Sequence, residues 1–306
     1  GSFVIKSPRT LRRILPFAVA SLIGLSACGS VASTSNAFEV NGKGYTQADF
    51  DALTSVLITA GQFTATNGKI KSEDAIVVMR TLIRFKAFEQ FIKDEGITIS
   101  AADRTAVLKS AEADKAFAGY PKPLQDVLVD LNLADATLKK MKAPSTENLK
   151  KLYDKSPASA GVLCLSHILV KTEAQAKSVL ADLEGGAKFA TVAAKKSIEP
   201  GADKSGGSLA NGDQACQALA DLQTSFDKDF MIGAVGAKPG VPTGPVKSSF
   251  GYHIILSHSF DDVKTSVQTV VGENPGSTLL AGYMSVADIS VRSTYGKWNG
   301  ATATIS

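Results

Sequence analysis

The chain has 306 residues, which allows one large domain or two ordinary ones, and its 44% hydrophobic and 20% charged residues describe a folded protein with a sizeable core. The formal charge of +4 sits at one end: residues 1–27 hold Lys6, Arg9, Arg12 and Arg13 and no acid, and setting these aside leaves 29 Lys+Arg against 29 Asp+Glu. A neutral body argues against nucleic acid as the main partner, three histidines and three cysteines leave little material for a metal cluster, and the H-E-x-x-H, G-x-S-x-G and G-x-x-x-x-G-K-[ST] motifs are missing.

Residues 14–25 form an uncharged, mostly apolar run behind the basic stretch 6–13. A helix of that length falls short of a bilayer core of about 30 Å but fits the h-region of a signal peptide. Leu25-Ser26-Ala27-Cys28-Gly29 resembles a bacterial lipobox. That resemblance implies cleavage after residue 27 and acylation of the Cys28 thiol, and two or more acyl chains anchor stably. The alternative is an ordinary secretory signal cut near Ala27. Arg12-Arg13 suggests twin-arginine export, a pattern that Leu11 and Pro16 fit poorly. Residues 28–37, rich in Ser, Thr, Ala and Asn, read as a lipidated tether. Export leaves Cys164 and Cys216 as an even pair in an oxidising compartment, either disulfide-bonded or two thiols.

In the mature chain, residues 38–45 predict a strand with a turn at Asn41-Gly42. Thr46 caps a helix to about residue 60, and Ser72 opens another to about residue 94, ended by Gly96. Ser100-x-x-Asp103 resembles a capping box. Pro121 and Pro123 break the pattern before a helix near 124–131, and a further helix covers about 146–154. The period changes at Ser156-Pro157. Residues 162–170 (VLCLSHILV) predict one buried strand. Helices follow from Thr172 to about 183 and over 189–196, then a Gly/Ser/Asp-rich loop over 197–213. Helical signal returns around 217–230, a turn-rich stretch covers 236–245, and 246–256 alternates as a strand. Residues 260–306 show one weak helix near 279–284 and a strand-like run at 287–292. That tail is too short to fold alone and is expected to return to the first helical part.

The segment 163–258 resembles a parvulin-type peptidyl-prolyl cis/trans isomerase. The matching pieces are Ser166-His167-Ile168-Leu169-Val170-Lys171, Gly186-Ala187-Lys188-Phe189-Ala190, Ser197-x-x-Pro200, Gly206-Gly207-Ser208-Leu209, Phe226, Gly244-Pro245-Val246-Lys247 and Phe250-Gly251-Tyr252-His253-Ile254-Ile255. In their order over about 95 residues they are specific together, though weak singly. The layout around them is similar to extracytoplasmic foldase lipoproteins of the PrsA and SurA kind. The fold expected is therefore α+β: an antiparallel sheet surrounded by helices over 160–258, inserted into a mostly helical peptide-holding domain over 38–157 that residues 260–306 complete.

The resemblance implies a catalytic set of His167, His253, Glu199 and Ser248, with Leu209, Leu222, Phe226 and Phe250 lining an apolar proline pocket. It implies no cofactor and no metal. The partners implied are unfolded or partly folded exported proteins with X-Pro bonds, met by a protein held at the bacterial membrane by its lipid. His258 has no counterpart and, five residues after His253, should face the other side of a strand. Glu199 stands where relatives carry Asp or Cys, Ser208 where Asp is usual and Ala210 where Gly is usual. These departures motivate the alternative of a holdase chaperone whose silent parvulin domain only binds peptide. A His/Cys metal protein is disfavoured, because Cys164 and His167 fall on opposite faces of a strand. Residues 172–177 (TEAQAK) lack an arginine pair suited to phosphate, so phospho-Ser/Thr-Pro specificity is not expected.

Overall fold

The computed structural model describes residues 35–306; the leader, Cys28 and the start of the tether lie outside them. Strands β1 (Asn36–Val40) and β2 (Lys43–Thr46) form a hairpin. Asn41 and Gly42 turn it with positive φ, as an Asn-Gly turn between right-twisted strands favours. Helix α1 (Gln47–Thr59) starts where Thr46 Oγ1 accepts the Asp49 N–H at 3.0 Å. A small hairpin, β3 (Ala65–Thr66) and β4 (Lys69–Ile70), precedes α2 (Ser72–Asp94), whose buried face includes Met79, Ile83 and Phe88. Ser100 and Asp103 cap α3 (Ala101–Glu112) reciprocally. Then come α4 (Lys115–Ala118), α5 (Lys122–Lys140) and α6 (Thr146–Lys155). Pro121 and Pro123 do not delay α5 as expected: they flank its first position, where the missing N–H is not needed, and the helix runs on to Lys140.

The run 162–170 is two strands, β5 (Val162–Leu163) and β6 (Leu165–Val170), broken at Cys164. Next come α7 (Glu173–Glu184), boxed by Thr172 and Gln175, α8 (Phe189–Lys196) and the short α9 (Ala202–Ser205) within the expected loop. Strand β7 (Gln217–Ala218) pairs with β5. The helical signal near 217–230 resolves into α10 (Leu219–Ser225) and α11 (Lys228–Gly236), separated at Phe226-Asp227. Strands β8 (Thr243–Ser248) and β9 (Gly251–Ser257) replace the single strand expected over 246–256.

The sheet runs β6-β9-β8, all antiparallel. Both faces of β6 are covered, and all six of its residues are buried. Ile168, Val170 and Ile254 meet Ala176 and Val179 of α7 and Val192 and Ala193 of α8. Leu165 and Ile255 on the other face meet Leu219, Leu222, Phe230 and Met231 of α10 and α11.

The C-terminal segment holds α12 (Phe260–Glu273), α13 (Pro275–Val286), β10 (Ile289–Val291), β11 (Trp298–Asn299) and β12 (Thr304–Ile305), two full helices where one weak one was expected. It returns to the N-terminal part: β10 pairs with β1, Phe38 opposite Val291, and α13 packs on α2 and α5. At one crossing a Cβ on Gly276 would lie 2.3 Å from the Leu138 carbonyl oxygen, so only glycine fits. Cys164 and Cys216, buried in the core shared by these N- and C-terminal segments, are joined by a disulfide.

Candidate active site

The odd-numbered face of β6 carries Leu165, His167 and Leu169, and the matching face of β9 carries His253 and Ile255. Leu169 lies opposite His253, and His167 opposite Ile255, so the two histidines are diagonal neighbours on one face. Their Nδ1 atoms are 3.2 Å apart and their rings stack at 15°, with centroids 5.4 Å apart. His253 Nε2 is 2.7 Å from Ser248 Oγ, which also accepts the Phe250 N–H at 3.1 Å. His167 Nε2 lies 3.7 Å from Glu199 Oε2, beyond a hydrogen bond.

One proton arrangement satisfies this row. Ser248 donates to His253 Nε2, His253 Nδ1–H donates to His167 Nδ1, and His167 Nε2–H points toward the Glu199 carboxylate. The reverse arrangement would aim a bare nitrogen lone pair at that carboxylate. Burial pushes both imidazoles down to about 4, and for His253 the neighbouring His167 adds to the effect. At neutral pH both rings are uncharged.

The backbone fixes this geometry. The His167 N–H donates to the Gly207 carbonyl at 2.8 Å. Gly207 has φ +81°, and a Cβ there would stand 2.4 Å from the His167 carbonyl oxygen. Ser197 Oγ accepts from Leu169 N–H and Glu199 N–H, which sets Glu199 at the rim, its side chain 41% exposed. Ser208 and Ala210 are both exposed.

Aromatic rings close the other side. Phe230 meets both imidazoles edge-on, at 5.7 Å from His167 and 5.1 Å from His253, and Phe226 stacks on Phe230 at 5.3 Å. Asp227, between the two, caps α11 by accepting the Asp229 and Phe230 N–H groups and also accepts from Ser249 Oγ in the β8–β9 turn. Leu222 is buried in the same cluster, against which the partly buried Leu209 and Phe226 pack. Phe250 stands 69% exposed at the tip of the hairpin. The two neutral imidazoles thus lie against the stacked Phe226 and Phe230 rings and the apolar cluster they belong to.

Residues 167–259 match the rotamase family described as the PPIC-type PPIASE domain. This stretch is a PPIC-type parvulin domain. Over 117 residues the chain is 38% identical to the foldase protein PrsA of Clostridium kluyveri, a match covering 34% of this chain and 32% of that relative. The putative peptidyl-prolyl cis-trans isomerase Cbf2 of Campylobacter jejuni is 28% identical over 269 residues, 81% of this chain and 88% of that one. The crystal structure of PrsA from Bacillus subtilis is 22% identical and covers 79% of this chain and 88% of that chain, with a TM-score of 0.30. The chain thus matches about a third of the length of its Clostridium kluyveri relative.

Of the expected site residues of 167–259, His167, His253, Ser248 and Glu199 form one row, Leu209, Leu222 and Phe226 belong to the cluster of Phe230, and Phe250 touches the row through its N–H on Ser248 Oγ while its ring stands exposed. Phe230, the ring that touches both histidines, is the site residue that sequence reasoning leaves out. Its signal is its spacing: it falls four residues after Phe226, across a capped helix start at Asp227. His258 faces away from the pair, its Nε2 2.9 Å from Ser166 Oγ on the other face of the sheet. Its backbone carbonyl accepts from Tyr153 Oη at 2.6 Å, tying β9 to α6. Cys164 lies where β5 and β6 part, and its sulfur is bonded to Cys216.

Proposed function

We propose that this protein is a peptidyl-prolyl cis/trans isomerase and foldase that acts outside the cytoplasm on exported proteins with X-Pro bonds. In this reading Cys28 carries the lipid that holds it at the membrane, and residues 38–157 with 260–306 hold the client. The observation that carries the reading is the neutral histidine pair, Nδ1 to Nδ1 at 3.2 Å, under the Phe226–Phe230 stack within a PPIC-type domain.

The chemistry asked of the site is modest. An X-Pro bond turns over in tens to hundreds of seconds behind a barrier of roughly 18–20 kcal/mol set by C–N double-bond character. A thousandfold acceleration needs about 4 kcal/mol. No bond to carbon is made, so no nucleophile is needed. The stacked Phe226 and Phe230 rings grip the prolyl ring, and removing the amide from water favours its less polar, twisted form. Two uncharged imidazoles, locked by Ser248, offer fixed dipoles to the turning amide without donating a full proton. Glu199, at the rim, adds negative charge on one side of that path.

A protease-free isomerisation assay on an X-Pro peptide tests this: the whole protein accelerates exchange, and F226A and H253A each abolish most of the acceleration. A wild-type rate at background would remove the enzyme reading. The second reading, a holdase with a silent domain, is favoured by the departures at Glu199, Ser208 and Ala210. It requires that deletion of 160–258 leave suppression of client aggregation intact while the full chain shows no isomerase rate.

A further inference from the structure

The two walls of the isomerase site belong to different elements, and their separation decides whether a prolyl ring and its amide meet both. One wall is the Phe226–Phe230 stack at the start of α11. The other is the β8–β9 turn, where Ser248 Oγ lies 2.7 Å from His253 Nε2 and accepts the Phe250 N–H at 3.1 Å. Farther along both elements they pack directly: a Cβ on Gly233 of α11 would stand 2.6 Å from Val246 Cγ2 of β8. Next to the turn a side chain makes the tie. Asp227 Oδ1 accepts the Asp229 N–H at 2.9 Å and the Phe230 N–H at 3.2 Å, while its Oδ2 accepts the Ser249 hydroxyl at 3.1 Å. Ser249, between Ser248 and Phe250, is exposed. One half-buried carboxylate therefore holds both the helix that carries Phe230 and the turn that carries Ser248. Capping a helix needs one oxygen. The second, turned to the opposite wall, has no part in the cap.

We propose that Asp227 is a positioning residue of the isomerase: by bridging α11 to the β8–β9 turn it fixes the gap between the Phe226–Phe230 stack and the Ser248–His253 pair. The proposal rests on the isomerase reading and gives a task to a residue outside the row of His167, His253, Ser248 and Glu199. Asp227 acts through other groups. It sets Phe230, whose ring meets His253 edge-on at 5.1 Å, and it sets the turn whose Ser248 holds His253 Nε2. With the tie cut, the exposed turn drifts from α11, and His253 loses register with a prolyl ring held on the phenylalanine stack. A misplacement of about 1 Å at a reacting centre costs on the order of a hundredfold in rate, so a partial drift costs about tenfold. The side chain suits the task, because an ionised carboxylate accepts on both oxygens. Asparagine keeps both ends, its oxygen capping α11 and its amide NH₂ donating to Ser249 Oγ. Serine caps a helix equally well but has one oxygen and no reach to the turn.

The experiment uses the whole protein as wild type, D227S, S249A, D227S/S249A and D227N. Exchange spectroscopy on an X-Pro peptide gives the catalysed rate at saturation, a peptide titration gives affinity, and thermal melting gives stability. The proposal expects D227S and S249A each to turn the peptide over about tenfold more slowly, with affinity within about threefold of wild type and an unshifted melting point. The double variant should be no slower than either single one, since both cut the same tie. D227N should recover most of the rate. A role confined to capping α11 predicts wild-type turnover in D227S and S249A, and that result overturns the proposal. So do losses that multiply in the double variant, or a D227N as slow as D227S. Should D227S fail to fold, S249A decides, because it leaves the cap intact. A wild-type rate at background removes the isomerase reading and the proposal with it, whereas an active wild type matched by S249A removes the proposal alone.

Discussion

Replacing His167 and His253 together with asparagine should flatten the acid sensitivity of this fold. The two imidazoles are only 5% and 4% exposed, so solvent screens their burial little. Each sits near 4 in the folded protein against an ordinary value of 6.5. A histidine depressed on folding takes up its proton more readily when unfolded. Its stabilising contribution is therefore complete above about pH 6.5 and is lost as pH falls toward 4. Between about pH 7 and 4.5 one such imidazole loses about 2.5 kcal/mol. Part of the His253 shift comes from a charged His167, so the pair together loses between about 2.5 and 5 kcal/mol. The assay is urea unfolding followed by far-UV circular dichroism, on wild type and H167N/H253N, at both pH values. Carboxylates titrate in both proteins, so the difference between them isolates the pair. Parallel loss of stability in the two proteins would refute the neutral, buried pair.

Four further outcomes follow from other contacts. C164A/C216A should lose about 4 kcal/mol of stability in the loop-closure account, since the bond closes a 52-residue separation; equal urea midpoints for variant and wild type would contradict it. G207A, strained at φ +81° and pressed on the His167 carbonyl, should cost about 1–3 kcal/mol and lower the isomerase rate through a displaced His167. Thermal melting with the peptide assay checks both effects, and a wild-type rate would sink the second. F230A should cost about 3–5 kcal/mol, and F230L should fold yet turn over more slowly, because a leucine fills the core but cannot edge both imidazoles; an unchanged F230L rate counts against the ring's role. On the proposal that Cys28 carries a lipid, C28A should release the protein from the membrane fraction, read by fractionation and immunoblot, and undiminished membrane association would refute anchoring at that thiol.

The α+β architecture and the pairing of His167 with His253 are both expected from the resemblance of 163–258 to parvulins, and strand parity is consistent with it: residues 165, 167 and 169 share a face, and the matching face of β9 carries His253. The same parity puts His258 and Ser166 together on the reverse face. Period alone does not reveal where a β run is cut. The β8–β9 hairpin turns at Ser249-Phe250, a pair with no Gly or Pro at its centre, so alternation reads straight through it. Cys164 interrupts 162–170 because β5 leaves the sheet to pair with β7, a tertiary choice the local run does not encode. Helix α12 hides for another reason. Its buried Val263, Val267, Val270 and Val271 have helical spacing, but valine is a weak helix former and only packing in the core outweighs that. Phe230 escapes notice because it lies inside α11 while Phe226 sits in the break that precedes it, and the Asp227 cap shapes the turn between the two rings.

The central claim is that a prolyl amide is turned against the neutral His167–His253 pair. It is tested most directly by nuclear magnetic resonance on protein carrying ¹⁵N-histidine, mixed with an excess of an X-Pro peptide near neutral pH. The account predicts ring nitrogens of uncharged imidazoles at both positions, shifts at both on adding peptide, and cis–trans exchange peaks for the peptide in the same sample. Exchange no faster than in free peptide, or exchange with the ring signals of His167 and His253 unmoved, would contradict it.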